Sequence, residues 1–125
     1  MPWKNQSFPV RLRFALHGLA HALRSEQSLK VQAAVCAAAF LVLIVLRPSP
    51  GWWALTALAS AGVIAAELLN TAIEELADHL NPEEHPRIRL VKDCAAGAVL
   101  VAVLGALAVG LALAVDVLLP LLLRH

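Results

Sequence analysis

The chain has 125 residues, 60% of them hydrophobic and 15% charged, with a formal net charge of +1 and a mean hydropathy of +0.74. A soluble domain carries about 45–50% apolar and about 25% charged residues, so an ordinary water-soluble globule is excluded. Low charge with high apolar content excludes disorder as well, and the length allows a single domain, residues 1–125.

Charges run through the first thirty residues without an uninterrupted apolar core and cleavage site, so no secretory signal is expected and the mature chain is read as starting at or near Met1. Residues 8–24 are predicted to form an amphipathic surface helix. At about 100° per residue, Leu12, Leu16, Leu19 and Leu23 fall on one side with Phe8 beside them, and Arg13, His17, His21 and Arg24 on the other. A basic face of this kind suits a helix lying in the membrane interface. Phe14 falls on the polar face, either as an incidental exposed aromatic or as a docking surface for a flat ligand.

Three spanning helices are predicted next, over about residues 27–47, 52–79 and 92–119. Ala33 to Leu46 is wholly apolar, Trp52 to Ala66 is uncharged, and Cys94 to Val115 is 22 residues without a charge; a span needs about 20. Lipid offers no partners to backbone polar groups, which selects helices over open strands. Arg47-Pro48-Ser49-Pro50-Gly51 separates the first two spans, with Trp52 and Trp53 placed for an interfacial belt. Asn81-Pro82 and His85-Pro86 mark the second break. Gly97, Gly105 and Gly110 permit close helix contact, or else accompany an alanine-rich run that is simply a good helix former. Cys36 and Cys94 lie in or beside apolar runs with no CxxC or Cys/His cluster, and are read as reduced structural thiols.

Eight of the ten basic residues precede the first span or lie between the second and third; only Arg47 and Arg124 lie on the other side. This bias places the amino terminus and second loop in the cytoplasm and the carboxyl terminus outside, hence a multi-pass membrane protein.

Seven of the nine acidic residues lie between Glu67 and Asp93. On one helix Glu67, Asn70, Thr71, Glu74 and Asp78 all fall within about 60° of Glu67, a polar face about 16 Å long. A carboxylate at membrane depth costs about 2.5–3.5 kcal/mol on insertion scales. Such a stripe must therefore meet cations, metal, water or protein. One reading pairs it with Arg and Lys of neighbouring helices to specify packing. The other, favoured because acids outnumber nearby bases, is a hard-cation site, since Mg²⁺ takes oxygen ligands and is usually held by one or two carboxylates plus phosphates. Lys92 and Asp93 open the third span. Alone they read as a snorkelling lysine and a complement to the helix dipole; with the stripe, Glu26 and the Glu83-Glu84-His85 loop they outline a cytoplasmic pocket suited to a metal–polyphosphate ligand.

With these residues in place the sequence resembles the prokaryotic diacylglycerol kinase family, which includes the undecaprenol kinases. The resemblance rests on Glu67-Leu68-Leu69-Asn70-Thr71-Ala72-Ile73-Glu74 followed by Asp78, and on Lys92-Asp93. Gly18-Leu19, Ser25-Glu26 and Lys30 fit upstream, and the similarity runs over roughly residues 8–115. It implies a homotrimeric bundle of surface helix plus three spans, with sites built between subunits. It also implies Glu67 as the catalytic base accepting the lipid hydroxyl proton, and Glu26 and Glu74 as ligands of the Mg²⁺ that bridges the ATP phosphates. Lys92, Asp93, Glu83 and His85 would contact the nucleotide, and Phe14 would sit beside its adenine. Asn70 and Asp78 would orient the groups around them, and Gly97 would leave room for the lipid. Phe14 lacks the hydroxyl some members carry, Lys30 stands where Arg is common, and the basic residue expected at the start of the surface helix falls on Ser7, with Arg11 or Arg13 as substitutes.

Phosphoryl transfer proceeds mainly by positioning and electrostatics, with a carboxylate taking the hydroxyl proton. None of the six glycines is followed by Lys, so there is no GK[ST] loop, and no HRD or DFG occurs. The expected function is phosphorylation of a membrane lipid alcohol by ATP, with diacylglycerol going to phosphatidate and undecaprenol as the alternative acceptor. A different class, a non-enzymatic small membrane protein such as a cation pathway, calls for polar groups through the bilayer, and the outer halves of the spans are bare except for Asp116. Nucleic acid is not expected, because the short basic helix is better explained by anionic lipid.

Overall fold

The structure is a computed structural model and describes residues 4–125. All regular structure among those residues is helical: α1 (Phe8–Ser25), α2 (Gln27–Leu46), α3 (Pro50–Leu80), α4 (Pro86–Leu113), a π-helical turn (Ala114–Leu118) and α5 (Leu119–Leu123). Three stretches, Gln27–Leu46, Pro50–Leu80 and Pro86–Leu123, are long and apolar enough to cross a membrane. The chain is a helical membrane protein.

The breaks between helices have local causes. Glu26 ends α1 and starts α2 in a single extended residue (φ −101°, ψ 114°). Arg47 closes α2 in the left-handed region (φ 49°), its N–H bonded to the Leu43 carbonyl, and Pro48 then prevents continuation. Pro50 and Pro86 were expected to mark breaks, yet both open helices, because the missing N–H of proline is one of the donors a first turn leaves unbonded anyway. At Pro86 the start is reinforced by His85, whose Nδ1 accepts the Arg87 N–H at 3.2 Å. Helix α4 thus begins ahead of the expected start near residue 92, and the second connection shrinks to residues 81–85.

Helix α3 is central, packing most extensively on α4, then on α2, while α1 leans on α2 and α3. Its 31 residues extend about 46 Å, against about 30 Å of bilayer hydrocarbon. The excess is the acidic end. Counting about 20 residues of span from Pro50 puts Glu67 within the last buried turn and lets Glu74 and Asp78 project beyond. The internal core is thin: Leu29 and Leu43 are fully enclosed, with Ala22, Val63, Ala77 and Ala95 nearly so. Most large apolar side chains of the spans face outward, as lipid or a neighbouring subunit requires.

At the end opposite the acids, Phe40 and Trp53 pack with ring centroids 6.3 Å apart, and Trp52 Nε1 donates to Asp116 Oδ2 at 3.0 Å. The π-helical turn around Asp116 has its cause in Pro120, whose ring meets the carbonyl four residues back; the ladder widens until the Leu119 N–H bonds to the Ala114 carbonyl. The reading of Gly97, Gly105 and Gly110 as close-contact positions is not met within the chain. A Cβ built on any of them has nothing within 4 Å.

Candidate active site

Glu67 is 3% exposed, the one buried carboxylate among the described residues. Its partners come from the first turns of α2. Ser28 Oγ donates to Oε2 at 3.1 Å and Gln32 Nε2 donates to Oε1 at 3.5 Å, the latter at the limit of a hydrogen bond. Ser28 and Gln32 stand at i and i+4, on one helix face, and the corner at Glu26 aims that face at α3. Among the described residues no cation pairs with Glu67. The carboxylate is therefore buried on neutral donors, which orient it without the charge compensation of an ion pair.

One to two turns nearer the acidic end, Asn70 Nδ2 donates to Glu74 Oε1 at 3.4 Å. Asn70 Oδ1 is buried and has no partner, an oxygen aimed at nothing the chain itself supplies. Higher still, Lys92 Nζ pairs with Asp78 Oδ1 across the α3–α4 contact. Both ends of that bridge are substantially solvent-exposed, so it contributes little to stability. Its effect is positional, holding the start of α4 against the end of α3. Beyond it a cavity of about 280 Å³ is lined by Asp78, Asn81, Pro82, Glu83, Glu84, His85, Ile88, Arg89, Lys92 and Asp93. His85 Nδ1 is spent on the helix cap, which leaves Nε2 as its donor in the neutral ring.

The predicted residues thus fall into two groups. Asp78, Glu83, His85, Lys92 and Asp93 share the cleft, and Glu67 lies buried below it, with Asn70 and Glu74 between. Three others are not joined to either group: Glu26 stands at the α1–α2 corner, Phe14 is exposed on α1, and Gly97 lies about one turn beyond Asp93 on α4 with open space beside it. Sequence reasoning missed Ser28 and Gln32, polar residues four apart at the mouth of an apolar span, and Arg89, four residues before Asp93.

No three His, Cys, Asp or Glu side chains converge among the described residues. A metal here would rest on one or two carboxylates and complete its shell from a ligand, the habit of Mg²⁺. The donors are all oxygens, and the unpartnered Asn70 Oδ1 beside Glu74 fits that use. A second cavity, about 340 Å³ and almost wholly apolar, runs between α2, α3 and α4 from Gln32 to Leu118. Gln32 touches both this cavity and Glu67.

Fold and site together define a small helical membrane protein with a carboxylate buried at one end of its spans and a mixed-charge cleft above. The family profile described as prokaryotic diacylglycerol kinase matches residues 13–114. Among curated proteins, the chain is 33% identical over 102 residues to a diacylglycerol kinase of Synechocystis sp., covering 81% of this chain and 58% of that protein. It is 34% identical over 84 residues to an undecaprenol kinase of Bacillus subtilis, covering 67% of this chain and 68% of that protein. The match therefore spans less than two thirds of the Synechocystis protein's length. The chain belongs to the prokaryotic diacylglycerol kinase family.

Proposed function

We propose that this protein is an ATP- and Mg²⁺-dependent lipid kinase of the bacterial inner membrane, working as a homotrimer with its amino terminus and second loop in the cytoplasm. The acceptor is a membrane lipid alcohol, diacylglycerol first, which would yield phosphatidate. The observation that carries this is the setting of Glu67: a carboxylate enclosed where an apolar span ends, held by neutral donors, between an apolar cavity and a cleft of mixed charge. A lipid hydroxyl arrives from the bilayer and a nucleotide from water, and Glu67 lies between the two approaches.

In this reading Glu67 accepts the proton of the lipid hydroxyl as it attacks the terminal phosphoryl group of ATP. The transition state is loose, so one weak base suffices. Glu26 and Glu74 would hold Mg²⁺, which when bound offsets charge on the phosphates. Asn70 fixes the Glu74 carboxylate, and Asp78 fixes Lys92 at the cleft edge. Lys92 and Arg89 attract the phosphate tail, Glu83, His85 and Asp93 contact the nucleotide, and Phe14 stacks near its base. Gly97 leaves space for the lipid. At about 280 Å³ the cleft is small for a whole drug-sized ligand, which suits a polyphosphate tail with the base lying outside.

The likeness to an undecaprenol kinase, which reaches further across its relative than the other match does, favours undecaprenol as a second acceptor. Purified protein given labelled ATP with diacylglycerol and undecaprenol side by side decides between them. Label in phosphatidate is the expected result; label in undecaprenyl phosphate alone transfers the assignment to that lipid. A chain that labels neither lipid while binding ATP would not be a lipid kinase of this kind.

A further inference from the structure

We infer that Ser28 is a positioning residue for the reaction: its hydroxyl, with a lesser contribution from the Gln32 amide, locks the buried Glu67 carboxylate in the orientation that accepts the substrate proton. The inference rests on the reading of Glu67 as the base. A glutamate side chain has three rotatable bonds, and a base must meet its proton at hydrogen-bond distance. The short way to fix a carboxylate is an ion pair, but a cation in contact holds the group in its charged form and opposes proton uptake. No cation pairs with Glu67 among the described residues. Instead Ser28 Oγ donates to one oxygen at 3.1 Å and Gln32 Nε2 to the other at 3.5 Å.

Each carboxylate oxygen accepts about two hydrogen bonds. One donor apiece therefore fixes the carboxylate plane and leaves a lone pair on each oxygen for the incoming hydroxyl. The two donors are not equal. The Ser28 contact is an ordinary hydrogen bond and the Gln32 contact is at the limit, so Ser28 carries most of the orientation. Both donors belong to the first two turns of α2, so the packing of that end of α2 on α3 sets where the base points. Nothing in the family motif on α3 encodes this.

The test compares wild type, Ser28→Ala, Ser28→Thr and Gln32→Met in lipid micelles, measuring kcat and KM for ATP and for lipid. Alanine is the better helix former, so S28A keeps α2. Misplacing a reacting group by about 1 Å costs on the order of 100-fold; S28A is expected to lose about ten- to a hundredfold in kcat with both KM values unchanged. S28T, which restores the hydroxyl, recovers most of that loss, and Q32M loses less than S28A. If S28A retains wild-type kcat, or raises KM in step with its loss, or is not rescued by threonine, the positioning role is overturned and Ser28 is structural. Should the wild-type chain itself transfer no phosphate to either lipid, the kinase reading fails first and takes this inference with it, an outcome distinct from an active wild type with an indifferent Ser28.

Discussion

At Glu67 the cost of burial and the needs of the proposed proton transfer meet in one side chain. A buried carboxylate without partners would cost several kcal/mol, and an ion pair would lower that cost while blunting the base. Two neutral donors are the compromise observed. Replacing Glu67 with Gln keeps the shape and one acceptor oxygen for the α2 donors but removes proton acceptance, so kcat is expected to fall about 10²–10⁴-fold while ATP affinity, read by calorimetry, stays put; an active E67Q would remove the residue from this role. Glu26→Gln and Glu74→Gln act elsewhere. Each removes one anionic oxygen from the proposed metal ligands, so the Mg²⁺ concentration for half-maximal rate is expected to rise about tenfold or more, and an unchanged magnesium titration contradicts metal ligation. The acidic residues were legible in sequence because charges recurring on one helix face inside an apolar run violate the cost of burial unless they are used. Ser28 and Gln32 were not legible. Serine and glutamine near a helix start are common for many reasons, and their partner lies 39 and 35 residues away, a relation that periodicity cannot express.

Among the elements, the helices themselves followed from the composition, since lipid permits little else. Their limits were set by prolines, which act by position: Pro48 and Pro82 stop a helix, Pro50 and Pro86 begin one, and Pro120 inside one widens it. Only the accompanying cap or hydrogen-bond ladder distinguishes these cases. The widened turn carries Asp116, and Trp52 of α3 reaches it with a single hydrogen bond. This clasp ties α3 to the far end of α4, opposite the site. Trp52→Phe removes the donor but keeps an aromatic ring, and is expected to lower stability by about 1 kcal/mol, seen as a lower thermal midpoint in detergent. Trp53→Phe, which preserves the ring packing on Phe40, is expected to shift it less. Catalysis in the W52F protein should remain at the wild-type rate, because no residue of the clasp lines the cleft. A loss of activity without loss of stability would mean that the far end communicates with the site.

For the whole molecule, the single chain offers fewer site contacts than the proposed chemistry uses. Glu26 and Phe14 are joined to neither residue group, no three metal-binding side chains converge among the described residues, and large apolar faces of every span are left outward. Spacing along one sequence cannot reveal what a second copy brings to these faces, which is why the trimer rests on resemblance alone. A closed ring repeats one interface; if the proposed site is shared across it, Glu26 of one subunit serves the Glu67 of its neighbour. Mixing E26Q and E67Q chains in equal amounts, at a Mg²⁺ concentration too low for E26Q alone to turn over, then gives a quantitative outcome. With random assembly, about a quarter of the shared sites contain both intact carboxylates, and activity should return to about that fraction of wild type. Sites contained within one chain would always carry one defect, and the mixture would stay inactive at every ratio. The mass of the detergent-extracted particle, expected at three copies, fixes the number of such interfaces independently of the assay.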